Sequence, residues 1–222
     1  GRDLGLVVGE PRPLGGELGA EEQHHGGGVD VPDGLLPGDE GGVHLRPGDR
    51  RQVAAVESFD GTPLDTTLTL PRKVAKGKRL PLVVFIHGGG WVLGSLDTHD
   101  NLARSLADES GCALLSVAYR LAPEHPFPAP HDDVLATVDW VLAHSDDWVL
   151  EPSRLGLAGD SAGANLVAGA ALALRDAGTA VVGTLLVYPP PDFEGRYPSV
   201  KENAEGYFLT AVDVVACSKL YL

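Results

Sequence analysis

Arg154-Leu155-Gly156-Leu157-Ala158-Gly159-Asp160-Ser161-Ala162-Gly163-Ala164-Asn165-Leu166 is the stretch on which the reading of this chain turns. Its first half, Arg154–Ala158, is a short apolar run of central-strand type. From Ser161 to Ala177 a helix-like pattern of small residues follows (Ala162, Ala164, Ala168, Ala170, Ala171), closed by Gly178. At the junction, Gly159-Asp160-Ser161-Ala162-Gly163 fits Gly-x-Ser-x-Gly, a nucleophile elbow. A turn that tight admits only small neighbours, hence Gly159 and Gly163, and it lifts the Ser161 hydroxyl above the sheet. The helix starting there aims free N–H groups and its positive dipole end at the same point. Asp160 reads as a partner for nearby backbone rather than as an acid.

A second motif faces the first. The apolar run Pro81–Ile86 leads into His87-Gly88-Gly89-Gly90-Trp91. Three glycines let the backbone approach a substrate and aim N–H groups at it. With the N–H of Ala162, those of Gly88 and Gly89 are expected to form an oxyanion hole, each donor contributing about 2.7–4 kcal/mol to the transition state. His87 precedes the loop and is expected to orient it rather than act as a base. Trp91 is expected to pack beneath it.

The remaining pattern supplies a scaffold. Gln52–Phe59 and Asp65–Leu70 alternate apolar and polar residues about a turn signal, Asp60-Gly61-Thr62-Pro63, and predict an antiparallel hairpin. Ala113–Ala118 and Val181–Tyr188 predict further buried strands. Helices are predicted over Thr98–Ser110 (ended by Gly111), Pro130–Ala143 and Leu209–Leu222. Strands alternating with helices indicate an α/β protein, with a mostly parallel sheet and helices on both faces. Arg120 and Glu124 read as a structural ion pair. His24-His25, in a Gly-rich stretch, reads as solvated rather than metal-binding.

Bulk properties exclude several classes. The formal net charge of −14 disfavours nucleic acid and anionic membranes as partners. No apolar run approaches the length of a membrane span, and no signal peptide is visible; the expectation is a soluble, cytoplasmic protein. Cys112 and Cys217 sit in apolar contexts and read as buried thiols without a disulfide. No metal or organic cofactor is implied. Residues 1–50 hold 14 of the 29 glycines and no aromatic residue. Such a segment buries too little apolar surface to offset its ordering entropy and is expected to be disordered, either a natural tail or a non-native extension. The absence of methionine suggests a processed or partial product. The folded domain is placed at 51–222.

Three motifs in order give the chain a family likeness. His87-Gly88-Gly89-Gly90-Trp91-Val92-Leu93-Gly94-Ser95, Tyr119-Arg120-Leu121-Ala122-Pro123-Glu124-His125-Pro126-Phe127-Pro128-Ala129 and Gly159–Leu166 resemble the hormone-sensitive-lipase branch of the α/β-hydrolases, which includes bacterial carboxylesterases and arylacetamide deacetylases. Glu202–Thr210 resembles the start of that family's inserted cap, placed near 192–222, with Tyr207 and Phe208 lining an acyl pocket or anchoring the cap. The resemblance implies a serine hydrolase of short-to-medium acyl esters, with Ser161 as nucleophile and a small-molecule ester as substrate.

The same resemblance implies a Ser–acid–His chain order. No histidine follows His144, and Asp176, Asp192 and Asp213 do not sit in strand-ending loops suited to the triad acid. The triad Asp and His are therefore read as missing, the chain as truncated at its C-terminus without its last strands, and its catalysis as nearly lost. The strand Val181–Tyr188 would then be a sheet edge, open to oligomerisation or aggregation. The alternatives are a non-catalytic small-molecule binder of the same fold, similar to the gibberellin receptors, and an amidase or lactonase.

Overall fold

The computed structural model describes residues 50–53, 56–74, 79–144 and 150–222; the Gly-rich stretch up to residue 49, with His24 and His25, lies outside the described residues. Six strands form one sheet: β1 (Arg50–Val53), β2 (Thr66–Thr69), β3 (Leu80–Ile86), β4 (Ala113–Val117), β5 (Leu150–Asp160) and β6 (Gly183–Val187). Their order is β1-β2-β4-β3-β5-β6. The hairpin predicted around Asp60–Pro63 is present, with β1 antiparallel to β2 and β2 antiparallel to β4. From β4 to β6 every pairing is parallel.

Side chains alternate across this sheet and build two cores. Leu82, Val84 and Ile86 of β3 point to one face, where they join Leu115, Val117, Leu155 and Leu157. Helices α2 (Ala129–Ala143) and α3 (Ala162–Asp176) cover that face through Val134, Val138, Leu166, Val167 and Ala170. Phe85, Leu114 and Ala158 point to the other face and meet Ala103 and Ala107 of α1 (Asp100–Ser110). Runs buried at every position, such as Ala113–Val117, follow from this two-sided burial. Gly111 ends α1 at φ 68, as expected of a left-handed helix terminus. The helix starts at Asp100 rather than Thr98, because Ser95 and Thr98 exchange side-chain-to-backbone bonds in a turn of their own.

Three expectations need correction. Arg120 does not pair with Glu124. Its guanidinium meets Asp133 at 2.6 Å and Asp60 at 2.7 Å, and donates to Ser58 Oγ at 3.0 Å. Asp133 is wholly buried and also accepts from Ser58 Oγ and the Arg120 amide. This network ties the hairpin to α2, and sequence proximity pointed to the wrong carboxylate. Second, β6 is exposed rather than buried, although its place at a sheet edge is as expected. It pairs only with β5, at the edge of the described sheet, and Leu185 is 51% exposed. Third, the cysteines are free but only partly buried. Beyond β6 lie a short helix that was not anticipated, α4 (Pro198–Glu202), and α5 (Ala211–Tyr221). A reciprocal Thr210–Asp213 capping box opens α5.

Replacing Asp133 with alanine removes the centre of the Arg120 network and leaves a half-buried cation short of its partner. The expected loss is about 3–5 kcal/mol of stability, read as a lower midpoint in urea denaturation.

Candidate active site

Strand order reverses around β3: the chain passes from β3 outward to β4, then returns to β5 on the opposite side of β3. The crevice at the carboxyl ends of strands flanking such a switch point is where open α/β sheets bind ligands. Both sequence motifs leave the sheet there. His87–Gly90 continues β3, Asp160-Ser161 ends β5, and the parallel register sets Ile86 beside Gly159.

The elbow and the glycine loop are in backbone contact. A Cβ on Gly163 would lie 2.1 Å from the Ile86 carbonyl oxygen and 2.5 Å from that of His87. A Cβ on Gly159 would lie 2.6 Å from the Gly163 carbonyl carbon. Only glycine allows α3 to start so close to the end of β3. Ser161 itself has φ 51 and ψ −119, a strained conformation for a residue with a side chain, at about 1–3 kcal/mol. Its amide donates to the Val187 carbonyl of β6 at 2.9 Å and its carbonyl accepts from Asn165 N–H at 3.1 Å. Among the described residues no hydrogen bond engages its Oγ.

Asp160 is the link between the motifs. Its Oδ1 accepts the Gly88 N–H at 2.9 Å, and a Cβ on Gly88 would strike its Oδ2 at 2.3 Å. The expectation that Asp160 bonds backbone therefore matches the geometry. The same bond engages the Gly88 N–H, one of the donors expected at the oxyanion hole. The amides of Gly89, Gly90 and Ala162 donate to no protein acceptor among the described residues. Gly89 and Gly90 have φ 124 and 62, which turns the chain back so that Leu93 N–H closes on the Gly89 carbonyl.

His87 is buried beneath this loop. Its Nδ1 donates to the Gly88 carbonyl at 2.8 Å, its ring stacks on Tyr119 at 4.5 Å, and the Tyr119 hydroxyl donates to the His87 carbonyl. Burial pushes the His87 imidazole below its ordinary value; the Gly88 bond opposes it, and the nearby His99 and Asp160 add lesser effects of opposite sign. A neutral ring wedged in this way supports the loop. Trp91 is buried and stacks on Tyr221 of α5 at 4.8 Å. The Cys217 sulfur, also from α5, rests against Gly90, 2.9 Å from where a Cβ would stand.

Tyr207 and Phe208 do not anchor this segment to the core. Phe208 is fully exposed and Tyr207 is 67% exposed, because the turn through Gly206 (φ 85) and Phe208 (φ 69) swings both outward. Asp192 does lie in a loop after a strand, five residues beyond β6, but its carboxylate is engaged by the Tyr197 hydroxyl and by the Glu194 N–H. Sequence reasoning missed His99. Its Nε2 lies 3.5 Å from Asp160 Oδ1 and its ring centroid 5.4 Å from that of His87. The Thr98-His99 pair just before α1 was the available signal. Among the described residues no group of histidine, cysteine and acidic side chains could hold a metal, and no helix is long and apolar enough to cross a membrane.

Comparison with known proteins agrees with this architecture. The family described as alpha/beta hydrolase fold matches residues 83–222. The chain belongs to the α/β-hydrolase family. Its likeness is to the hormone-sensitive-lipase type, whose carboxylesterases it resembles. Carboxylesterase NlhH of Mycobacterium tuberculosis is 47% identical over 131 residues, 59% of this chain and 41% of the relative. Esterase LipI of the same species is 38% identical over 160 residues, 72% of this chain and 50% of the relative. An esterase structure from Pyrobaculum calidifontis aligns with TM-score 0.72 at 36% identity, covering 79% of this chain and 57% of that one. The chain thus spans about half the length of the curated relatives it matches.

Two measurements check the site's construction. Gly163→Ala drives a methyl into the end of β3 and is expected to cost at least about 1–3 kcal/mol; Gly178→Ala, at φ 76 with no atom within 4 Å, meets backbone strain alone, about 1 kcal/mol. Thermal melts of the two variants should rank in that order. His87 binds its proton more weakly when folded, so the unfolded chain takes up more protons as pH falls below about 6.5. Stability should therefore decline on acidification from pH 7, and His87→Gln should flatten that slope.

Proposed function

We propose that this chain carries the nucleophile and oxyanion machinery of a serine carboxylesterase acting on short-to-medium acyl esters. Ser161 Oγ attacks the acyl carbon, and the carbonyl oxygen takes up the negative charge between the amides of Gly89, Gly90 and Ala162. The tetrahedral adduct collapses to an acyl-serine as the alcohol leaves with the serine proton. The observation that carries this reading is the placement of Ser161, at positive φ immediately before α3, where the elbow packs on a glycine loop whose last two amides are unengaged. The carboxylesterase relatives support the substrate class. Gly88 drops out of the oxyanion set because Asp160 holds it.

Attack by a hydroxyl needs a base. None of the described contacts gives Ser161 one, and no histidine follows it in this sequence. Ester turnover by a polypeptide of this sequence alone is therefore expected about 10⁶-fold below that of a complete triad. The uncovered β6 edge, with Leu185 and Leu186 exposed, supports self-association.

An activated fluorophosphonate tests the site without full turnover. Mass spectrometry should find a slow adduct on Ser161 that disappears in Ser161→Ala. Absence of the adduct in the unsubstituted chain would overturn the esterase reading. Saturable binding of a small carboxylic acid with no adduct would instead favour a binding protein of this fold.

A further inference from the structure

We propose that Tyr221 is a positioning residue for the oxyanion site. From the end of α5 its buried ring clamps the Gly90-Trp91 step of the glycine loop and so sets the amides of Gly89 and Gly90. This rests on the reading of those two amides as oxyanion donors, and it gives α5 a part in the site.

The glycine loop is strained and needs support from outside itself. Gly89, Gly90 and Trp91 have φ 124, 62 and 62 in succession. Glycine adopts such angles freely, but for a residue as bulky as tryptophan they are unfavourable. Within the loop, the Val92 and Leu93 N–H groups close on the Gly89 carbonyl at 3.2 and 2.9 Å. The Trp91 indole is buried, yet among the described residues its Nε1 donates to no acceptor. Packing rather than hydrogen bonding therefore keeps this side chain in place, and a strained backbone persists only where its surroundings hold it.

Tyr221 supplies that packing. It is the only buried residue of α5. Its ring lies flat on Trp91, with centroids 4.8 Å apart and planes within 9°. Cys217 is four residues earlier on the same helix face, and its sulfur rests against Gly90, the residue before Trp91. Phe193 closes the cluster, 5.3 Å from Trp91 and 6.0 Å from Tyr221. Tyr221 is itself held at two points. Phe127 meets its ring edge-on at 6.0 Å, and the Phe127 N–H donates to the Tyr221 carbonyl at 2.7 Å. The segment that carries Phe127 also reaches the loop directly, since the Ala122 N–H donates to the Trp91 carbonyl at 2.9 Å. Among the described residues no hydrogen bond engages the Tyr221 hydroxyl, so the ring does the holding.

The experiment compares Tyr221→Phe with Tyr221→Ala, by nuclear magnetic resonance and by the rate of fluorophosphonate adduct formation on Ser161. Tyr221→Phe keeps the ring and should match the unsubstituted chain in both readings. Tyr221→Ala should move the Gly89 and Gly90 amide resonances and slow the adduct about 10²-fold, with the amides of β3 and β5 unmoved. A folded Tyr221→Ala whose Gly89 and Gly90 resonances stay still, or whose adduct rate is unchanged, would overturn the proposal. So would equal slowing in Tyr221→Phe. Hydrogen exchange of the unsubstituted chain gives a second reading that needs no variant to fold. The Val92 and Leu93 amides should open together with those of α5; separate opening would overturn the proposal. No Ser161 adduct in the unsubstituted chain, alongside moved Gly89 and Gly90 resonances in Tyr221→Ala, would remove the esterase reading alone.

Discussion

The structure depends on one close approach: the backbone of Gly163 against the carbonyls of Ile86 and His87. Parallel pairing of β3 and β5 brings Ile86 and Gly159 level, and the lack of side chains at 159 and 163 lets α3 begin directly over the end of β3. Everything functional is held within that contact. It places the first free amide of α3 beside the glycine loop, and it forces Ser161 into a backbone conformation that neighbouring bonds must maintain. Val187 of β6 does part of this by accepting the Ser161 amide, so the exposed edge strand is also a support of the elbow.

A second layer of the site is electrostatic. Asp160 bridges the two motifs, and the choice of a carboxylate there has a consequence. A carboxylate holds the Gly88 amide more strongly than a neutral acceptor, but it adds negative charge where negative charge must later develop. His87 and His99 answer differently. His87, buried and stacked on Tyr119, is kept neutral and acts as a wedge under the loop. His99 lies at the rim, with Asp160 Oδ1 3.5 Å from its Nε2 and the Thr98 hydroxyl 2.9 Å from its Nδ1. Two histidines 5.4 Å apart thus sit in different surroundings, one desolvated against Tyr119 and the other facing a carboxylate.

The scaffold was legible to the extent that it rests on periodicity. Alternation placed the hairpin, mostly apolar runs placed β3 and β4, and the Gly111 terminus of α1 needed no tertiary information. Errors arose where a partner distant in the chain decided the outcome. Arg120 found Asp133 and Asp60 rather than its neighbour Glu124. Tyr207 and Phe208, aromatic and next to the expected cap, turn to solvent because two positive φ angles bend the segment outward.

By itself the sequence determined the kind of chemistry. Glycines at 159 and 163 and the triple glycine at 88–90 can be read as steric permissions, since only one residue type satisfies them. Tertiary structure decided which atoms remain free to use those permissions. It assigned the Gly88 amide to Asp160, left those of Gly89 and Gly90 open, and brought His99 into the site from the approach to α1. The physical reason is that steric tolerance is a property of a residue, whereas a hydrogen bond belongs to a pair whose members are chosen by the packing of distant segments.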